Sequence, residues 1–127
     1  MAKFVLDASA LLAFVNGEPG ADQVASVLGE ARISAVNFAE VAAKLTLRGG
    51  SADRALGELT EAELEVVDFD RALALSTGAL AAATRERGLS LGDRACLALA
   101  RRENAVALTA DSAWRKLNVG IEIRFIR

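Results

Sequence analysis

Histidine is missing from this 127-residue chain, and cysteine occurs once, at Cys96. Without histidine there is no Ser-His-Asp or Cys-His catalysis and no His-paired ribonuclease chemistry. Zinc sites built from Cys and His are excluded too. A lone cysteine forms no intramolecular disulfide. Cys96 lies in Ala95-Cys96-Leu97-Ala98-Leu99, where a free thiol behaves as a small buried hydrophobe. Long apolar runs are also lacking: none approaches the roughly 20 residues that cross a bilayer. Asp7 interrupts the first such run too early for a signal peptide. A cytoplasmic location without membrane insertion is the expectation.

The chain is 53% hydrophobic, enough for a sizeable core, and its length suits one domain spanning residues 1–127. The formal net charge is −2. An overall basic surface for nonspecific duplex binding is therefore disfavoured, although a local Arg/Lys rim is not.

Lys3 to Leu6 is a short apolar run of strand formers ending at Asp7. A short helix from Ser9 to Val15 stops at the turn cluster Asn16-Gly17-Glu18-Pro19-Gly20. Helical spacing then covers Ala21 to Glu30, a brief strand Arg32 to Ser34, and a helix Asn37 to Arg48 ended by Gly49-Gly50. Ser51 is placed to cap a helix carrying Leu56 and Leu59. A strand over Leu64 to Phe69, helices over Asp70 to Arg87 and Leu91 to Glu103, and a strand over Ala105 to Thr109 follow. A short helix from Asp111 or Ser112 through Leu117 and a strand Ile121 to Ile126 complete the series. Strands alternating with helices imply an α/β sandwich with a mostly parallel central sheet.

Four acids stand in or beside apolar segments: Asp7, Glu40, Asp93 and Asp111. Asp7 and Asp111 follow strand ends, while Glu40 and Asp93 lie near helix starts. In an open parallel sheet those positions share one edge, where ligands bind. Each acid also has a plainer reading. Asp7 and Asp111 have the position of helix caps. Asn37 and Glu40 have the spacing of a capping box. Asp93 suits the positive end of a helix dipole. Together, however, four clustered carboxylates raise one another's pKa unless a cation compensates. Oxygen ligands favour magnesium or manganese. Such a site hydrolyses phosphodiesters through an activated water, and Glu40 is the first candidate to orient or deprotonate that water. Ser9 and Thr109 are hydroxyls next to the acids, suited to hold a ligand or water in place or simply to bond at strand and helix ends.

These segments resemble the motifs of PIN-domain ribonucleases. Val5-Leu6-Asp7-Ala8-Ser9-Ala10-Leu11-Leu12 is similar to the family's opening motif, and Asn37-Phe38-Ala39-Glu40-Val41 to its second. The run from Leu89 to Ala100, with Gly92-Asp93 inside it, resembles the third, and Leu108-Thr109-Ala110-Asp111-Ser112-Ala113-Trp114 the fourth. Within that family the chain looks most like the VapC-type toxins of toxin–antitoxin pairs. The resemblance implies a PIN-like three-layer sandwich with about five strands and a magnesium- or manganese-dependent endoribonuclease. It implies metal ligation by Asp7 and Asp93, with Asp111 as a further ligand and Glu40 completing the acidic pocket. It implies structured RNA as substrate, a homodimer, and a cognate antitoxin docked in an apolar groove, for which the helices from Ala21 to Leu28 and Ala52 to Leu59 are candidates. Arg85, Arg87, Arg94, Arg101, Arg102, Arg115 and Lys116 are candidates for a phosphate-binding rim. Trp114 either stacks a base or packs in the core. The alternatives are a PIN fold that only binds, and a receiver-type phosphoacceptor domain.

Overall fold

The computed structural model describes residues 3–127. Five strands, β1 (Phe4–Leu6), β2 (Ala31–Ser34), β3 (Glu65–Val67), β4 (Val106–Thr109) and β5 (Ile123–Phe125), form one sheet in the order β3-β2-β1-β4-β5. Every pairing is parallel. Six helices connect them: α1 (Ala8–Asn16), α2 (Ala21–Ala25), α3 (Ala35–Leu47), α4 (Ala52–Glu61), α5 (Arg71–Thr84) and α6 (Leu91–Glu103).

Parallel strands covered on both faces must be apolar on both. Leu6 and Leu108 enter one core with Ile33, Leu11, Val41 and Leu59, beneath α1, α3 and α4. Their neighbours Val5 and Ala107 enter the opposite core with Leu73, Leu80, Cys96 and Leu97 from α5 and α6. This is the three-layer arrangement expected from the sequence, with a sheet wholly rather than mostly parallel. No described helix is long and apolar enough to cross a membrane.

Three helix boundaries differ from expectation for identifiable reasons. The segment Ala21 to Glu30 is not one helix: α2 ends at Ala25, and a single 3-10 turn covers Leu28–Glu30. Ser26 turns its hydroxyl back onto the Gln23 carbonyl at 2.8 Å, and Gly29 is a poor helix former. Helix α3 begins at Ala35, because the Ser34 hydroxyl accepts the Val36 N–H at 3.2 Å. Asn37 and Glu40 therefore lie inside the helix and are not its capping box. The long helix from Asp70 tightens into a 3-10 turn at Arg85–Arg87 before Gly88, which adopts a left-handed φ of 64°.

At the opposite end of the sheet from the strand C-termini, Arg32 pairs with Glu103 at the end of α6 and with Glu65 of β3 at 3.1 Å. Glu103 is only 8% exposed, so its charge depends on that partner. Replacing Arg32 with Ala is expected to lower folding stability by roughly 2 kcal/mol. Urea denaturation should show a reduced midpoint with an unchanged slope.

Candidate active site at the β1–β4 edge

Strand order reverses between β1 and β4, since β1 is followed in space by β2 and β3 on one side and by β4 and β5 on the other. A crevice opens at such a switch point, outside the carboxyl ends of the strands. Asp7 leaves β1 there, and Asp111 follows β4 by two residues.

Asp7 occupies the N-cap position of α1, yet its side chain makes no cap bond. Its Oδ2 instead accepts the Ser9 hydroxyl at 2.7 Å and the Thr109 hydroxyl at 2.9 Å. Each hydroxyl is positioned by a backbone N–H: Ala110 donates to Ser9 Oγ at 2.9 Å, and Asp111 donates to Thr109 Oγ1 at 3.0 Å. A hydroxyl has one proton. With both protons directed at Asp7, the 3.2 Å contact between Ser9 and Thr109 is a consequence of their shared target. Both donors converge on Oδ2, leaving Oδ1 without a side-chain donor among the described residues.

Burial raises the Asp7 pKa from its ordinary value near 3.8 to about 6; the two hydroxyls oppose this, and the Asp93 carboxylate adds to it. Glu40 is also shifted upward, by burial first and by Asp93, against the Asn37 hydrogen bond and Lys44. The Cys96 thiol, buried beneath them, is pushed up by burial and then by Asp7, Asp93 and Glu40. Three carboxylates thus share one neighbourhood, and the thiol there is held protonated. Asp111 figures in none of these interactions. It caps the 3-10 turn Ser112–Lys116, accepting the Ala113 N–H at 2.9 Å, so the plainer reading of this residue describes its side chain as folded. Its backbone N–H joins it to Asp7 through Thr109.

Asp93 combines both readings. Ser90 and Asp93 form a reciprocal capping box at the start of α6, with the Ser90 N–H donating to Asp93 Oδ2 at 2.9 Å. The spacing Ser90-x-x-Asp93 carries this signature, which the dipole reading of Asp93 passed over. Asn37 was not legible as part of the site. Fully buried, it donates through Nδ2 to Glu40 Oε1 at 3.2 Å and to the Gly92 carbonyl at 2.9 Å. Glu40 lies so close over Gly92 that a Cβ there would collide with its carboxylate. Asn37 therefore ties Glu40 of α3 to the first turn of α6. Only a long-range contact reveals this, because nothing local distinguishes such an asparagine from a cap. Trp114 is buried in the α5–α6 core at 1% exposure, which removes the base-stacking reading.

None of the ion pairs among the described residues involves Asp7, Glu40, Asp93 or Asp111. No Lys or Arg pairs directly with them, and Lys44 offsets the Glu40 shift only in part. No group of three or more His, Cys, Asp or Glu side chains among the described residues is placed to hold a metal ion unaided. Magnesium rarely uses such a cage: it keeps several waters and takes one or two carboxylates plus substrate phosphate. An all-oxygen site with Asp7 Oδ1 unclaimed by any side-chain donor among the described residues and Asp93 nearby fits that ion.

The fold and site define an α/β protein with carboxylates gathered at a parallel-sheet switch point. A PIN-domain family model matches residues 4–120, and the chain belongs to that family. The match sets aside the receiver-type alternative, whose sheet places β3 rather than β4 beside β1. No curated protein matches the sequence. Among solved structures, the chain is similar to one in the DNA-bound VapBC of Salmonella typhimurium, with 21% identity over 100% of both chains and a TM-score of 0.74. It is similar to one in a toxin–antitoxin complex from Klebsiella pneumoniae, with 20% identity over 100% of this chain and 98% of that one and a TM-score of 0.73. It is also similar to one in VapBC-1 of nontypeable Haemophilus influenzae, with 20% identity over 97% of both and a TM-score of 0.71. These likenesses establish a shared fold.

The elevated Asp7 pKa has a definite sign in stability. Between about pH 4 and 6 the folded state holds a proton that the unfolded state has released. Stability without divalent ions therefore falls by about 3 kcal/mol as pH rises through that window, and then levels off. Asp7→Asn keeps an acceptor for both hydroxyls and removes the charge. Urea unfolding in chelator should find it more stable than the parent above pH 6 and equal to it below pH 4.

Proposed function

We propose that the chain is a VapC-type toxin, a magnesium- or manganese-dependent endoribonuclease that acts as a single domain in the cytoplasm and is neutralised by a cognate antitoxin. The carboxylate cluster of Asp7, Asp93 and Glu40, without a basic partner at the sheet's switch point, is the observation that carries this reading. In it, Asp7 and Asp93 are the principal metal ligands, with Asp111 as a further one. A divalent ion held there supplies Lewis-acid stabilisation of phosphate charge and acidifies a water nucleophile.

The chain's own residues divide the remaining work. Ser9 and Thr109 hold Asp7 by one oxygen and leave the other without a side-chain donor. Glu40 orients the attacking water and takes its proton; its upward-shifted pKa brings it closer to the neutral range that suits a general base. Asn37 fixes the Glu40 carboxylate against Gly92. Cys96, kept protonated, takes no part as a nucleophile.

An apolar hollow of about 310 Å³, lined by Phe14, Val15, Ala55, Leu59 and Ala62 with Glu58, suits an amphipathic antitoxin segment. It lies between α1 and α4; the helix from Ala21, which the sequence suggested as one wall, does not line it. Similar folds occur in toxin–antitoxin complexes, which supports such a partner, and a homodimer is part of the same reading.

Antitoxin-free protein is expected to cut total RNA at discrete sites with magnesium and to stop in chelator. Asp7→Asn, Asp93→Asn and Glu40→Gln should each reduce cleavage on the order of 100-fold while circular dichroism shows a retained fold. Normal cutting by Asp7→Asn or Asp93→Asn would remove the ligand assignment, and absence of cleavage with any divalent ion would leave a PIN fold that only binds. Expression alone should arrest growth, with relief by the adjacent small gene.

A further inference from the structure

Seven cations were candidates for a phosphate rim, and the fold sorts them. Arg101 donates to the Val119 carbonyl at 2.6 Å. Arg102 pairs with Asp70 at 3.1 Å. Arg115 lies over the Phe125 ring at 4.3 Å and donates to the Arg127 carbonyl. These three are committed to holding elements together. Arg94 is half-buried on α6 and does not line the hollow formed by the remaining three. Arg85, Arg87 and Lys116 are exposed, and none joins an ion pair among the described residues.

Those three cations line one polar hollow of about 270 Å³ between the end of α5 and the 3-10 turn after β4. Asn118 lines it too, and Glu86 is its only acid, so its net charge is positive. The volume falls just short of the roughly 300–1,000 Å³ usual for organic ligands and is ample for a phosphate group with water. A dipole role at the end of α5 accounts for the two arginines but not for the lysine that meets them from another element.

Both walls continue directly from elements that bear the acids. Arg87 precedes Gly88-Leu89-Ser90, and Ser90 caps α6 together with Asp93. Lys116 closes the turn that Asp111 begins. The hollow is thus joined to the carboxylate edge by two short stretches of chain. In a chain of net charge −2, long-range attraction for a polyanion is weak. A strand lying across three carboxylates needs local cations to hold it.

We propose that Arg85, Arg87 and Lys116 form a subsite for a backbone phosphate of single-stranded RNA, beside the carboxylate cluster. This subsite serves the nuclease reading, taking a phosphate displaced along the strand from the one that is cut.

The test is binding of a short fluorescein-labelled single-stranded RNA in chelator, followed by anisotropy across roughly 50 to 200 mM salt. Arg87→Gln/Lys116→Gln is expected to bind about tenfold more weakly and to flatten the slope of log K against log salt by about 1.4, near 0.7 per lost contact. Arg48→Gln/Arg71→Gln, removing two exposed cations outside the hollow, should stay within about twofold of the parent, far from the tenfold loss. In magnesium, the hollow variant should raise KM for cleavage and leave kcat unchanged. Unchanged affinity and slope, equal loss in the control pair, or no binding by the parent overturns the subsite. If the parent binds with a slope that depends on the hollow but never cuts, the nuclease reading fails and the subsite stands. If it cuts and the slope is unmoved, the subsite alone fails.

Discussion

Everything at the candidate site depends on β1 and β4 lying side by side in parallel register. Leu6 opposes Leu108, and the Asp7 N–H donates to the Leu108 carbonyl at 2.8 Å. That register brings Thr109 to the Asp7 carboxylate, although the two are more than a hundred residues apart in sequence. A one-residue slip would turn Thr109 to the other face of the sheet. Leu108 would be turned out of its own core at the same time, so the apolar core and the polar site enforce the same pairing.

The cost of the site is electrostatic, and the chain offsets it only in part. Two hydroxyls stabilise the Asp7 charge, yet burial and Asp93 outweigh them. Glu40 is shifted in the same direction for the same leading reason. The fold nevertheless pairs no basic side chain directly with these groups, and Lys44 acts on Glu40 only from a distance. Arg32 is spent on Glu103 and Glu65, and Arg102 on Asp70. An internal ion pair would relieve the crowding but occupy the carboxylate oxygens. Leaving the oxygens unpaired lowers stability, and in the proposed reading it keeps them available to an external cation.

Caps and chemistry are less separable here than single-residue readings suggest. Asp93 binds the Ser90 N–H with one oxygen while its charge acts on Asp7 and Glu40. The capping box immobilises the carboxylate at the helix start. Asp111 caps its own turn and lends its N–H to the hydroxyl that holds Asp7. Local satisfaction of helix ends thus supplies the rigidity that a multi-carboxylate site needs.

Several features were decided by the residues themselves. Absence of histidine restricts the chemistry to oxygen donors, and the alternation of apolar strand and helix segments specifies a parallel α/β sandwich. These follow from side-chain chemistry and from the periods of strand and helix, which are local properties. Motif positions placed the four acids near element ends for the same reason. Other features came only with the third dimension. Asn37 passes from cap to clamp because Gly92, distant in sequence, packs against Glu40. Asp111 turns out to cap the 3-10 turn that follows it, because the Ala113 N–H meets one of its oxygens. Arg85, Arg87 and Lys116 separate from four similar cations because two remote turns meet. Each depends on which residues become neighbours when sheet and helices pack, and single-chain periodicity carries no information about such distances.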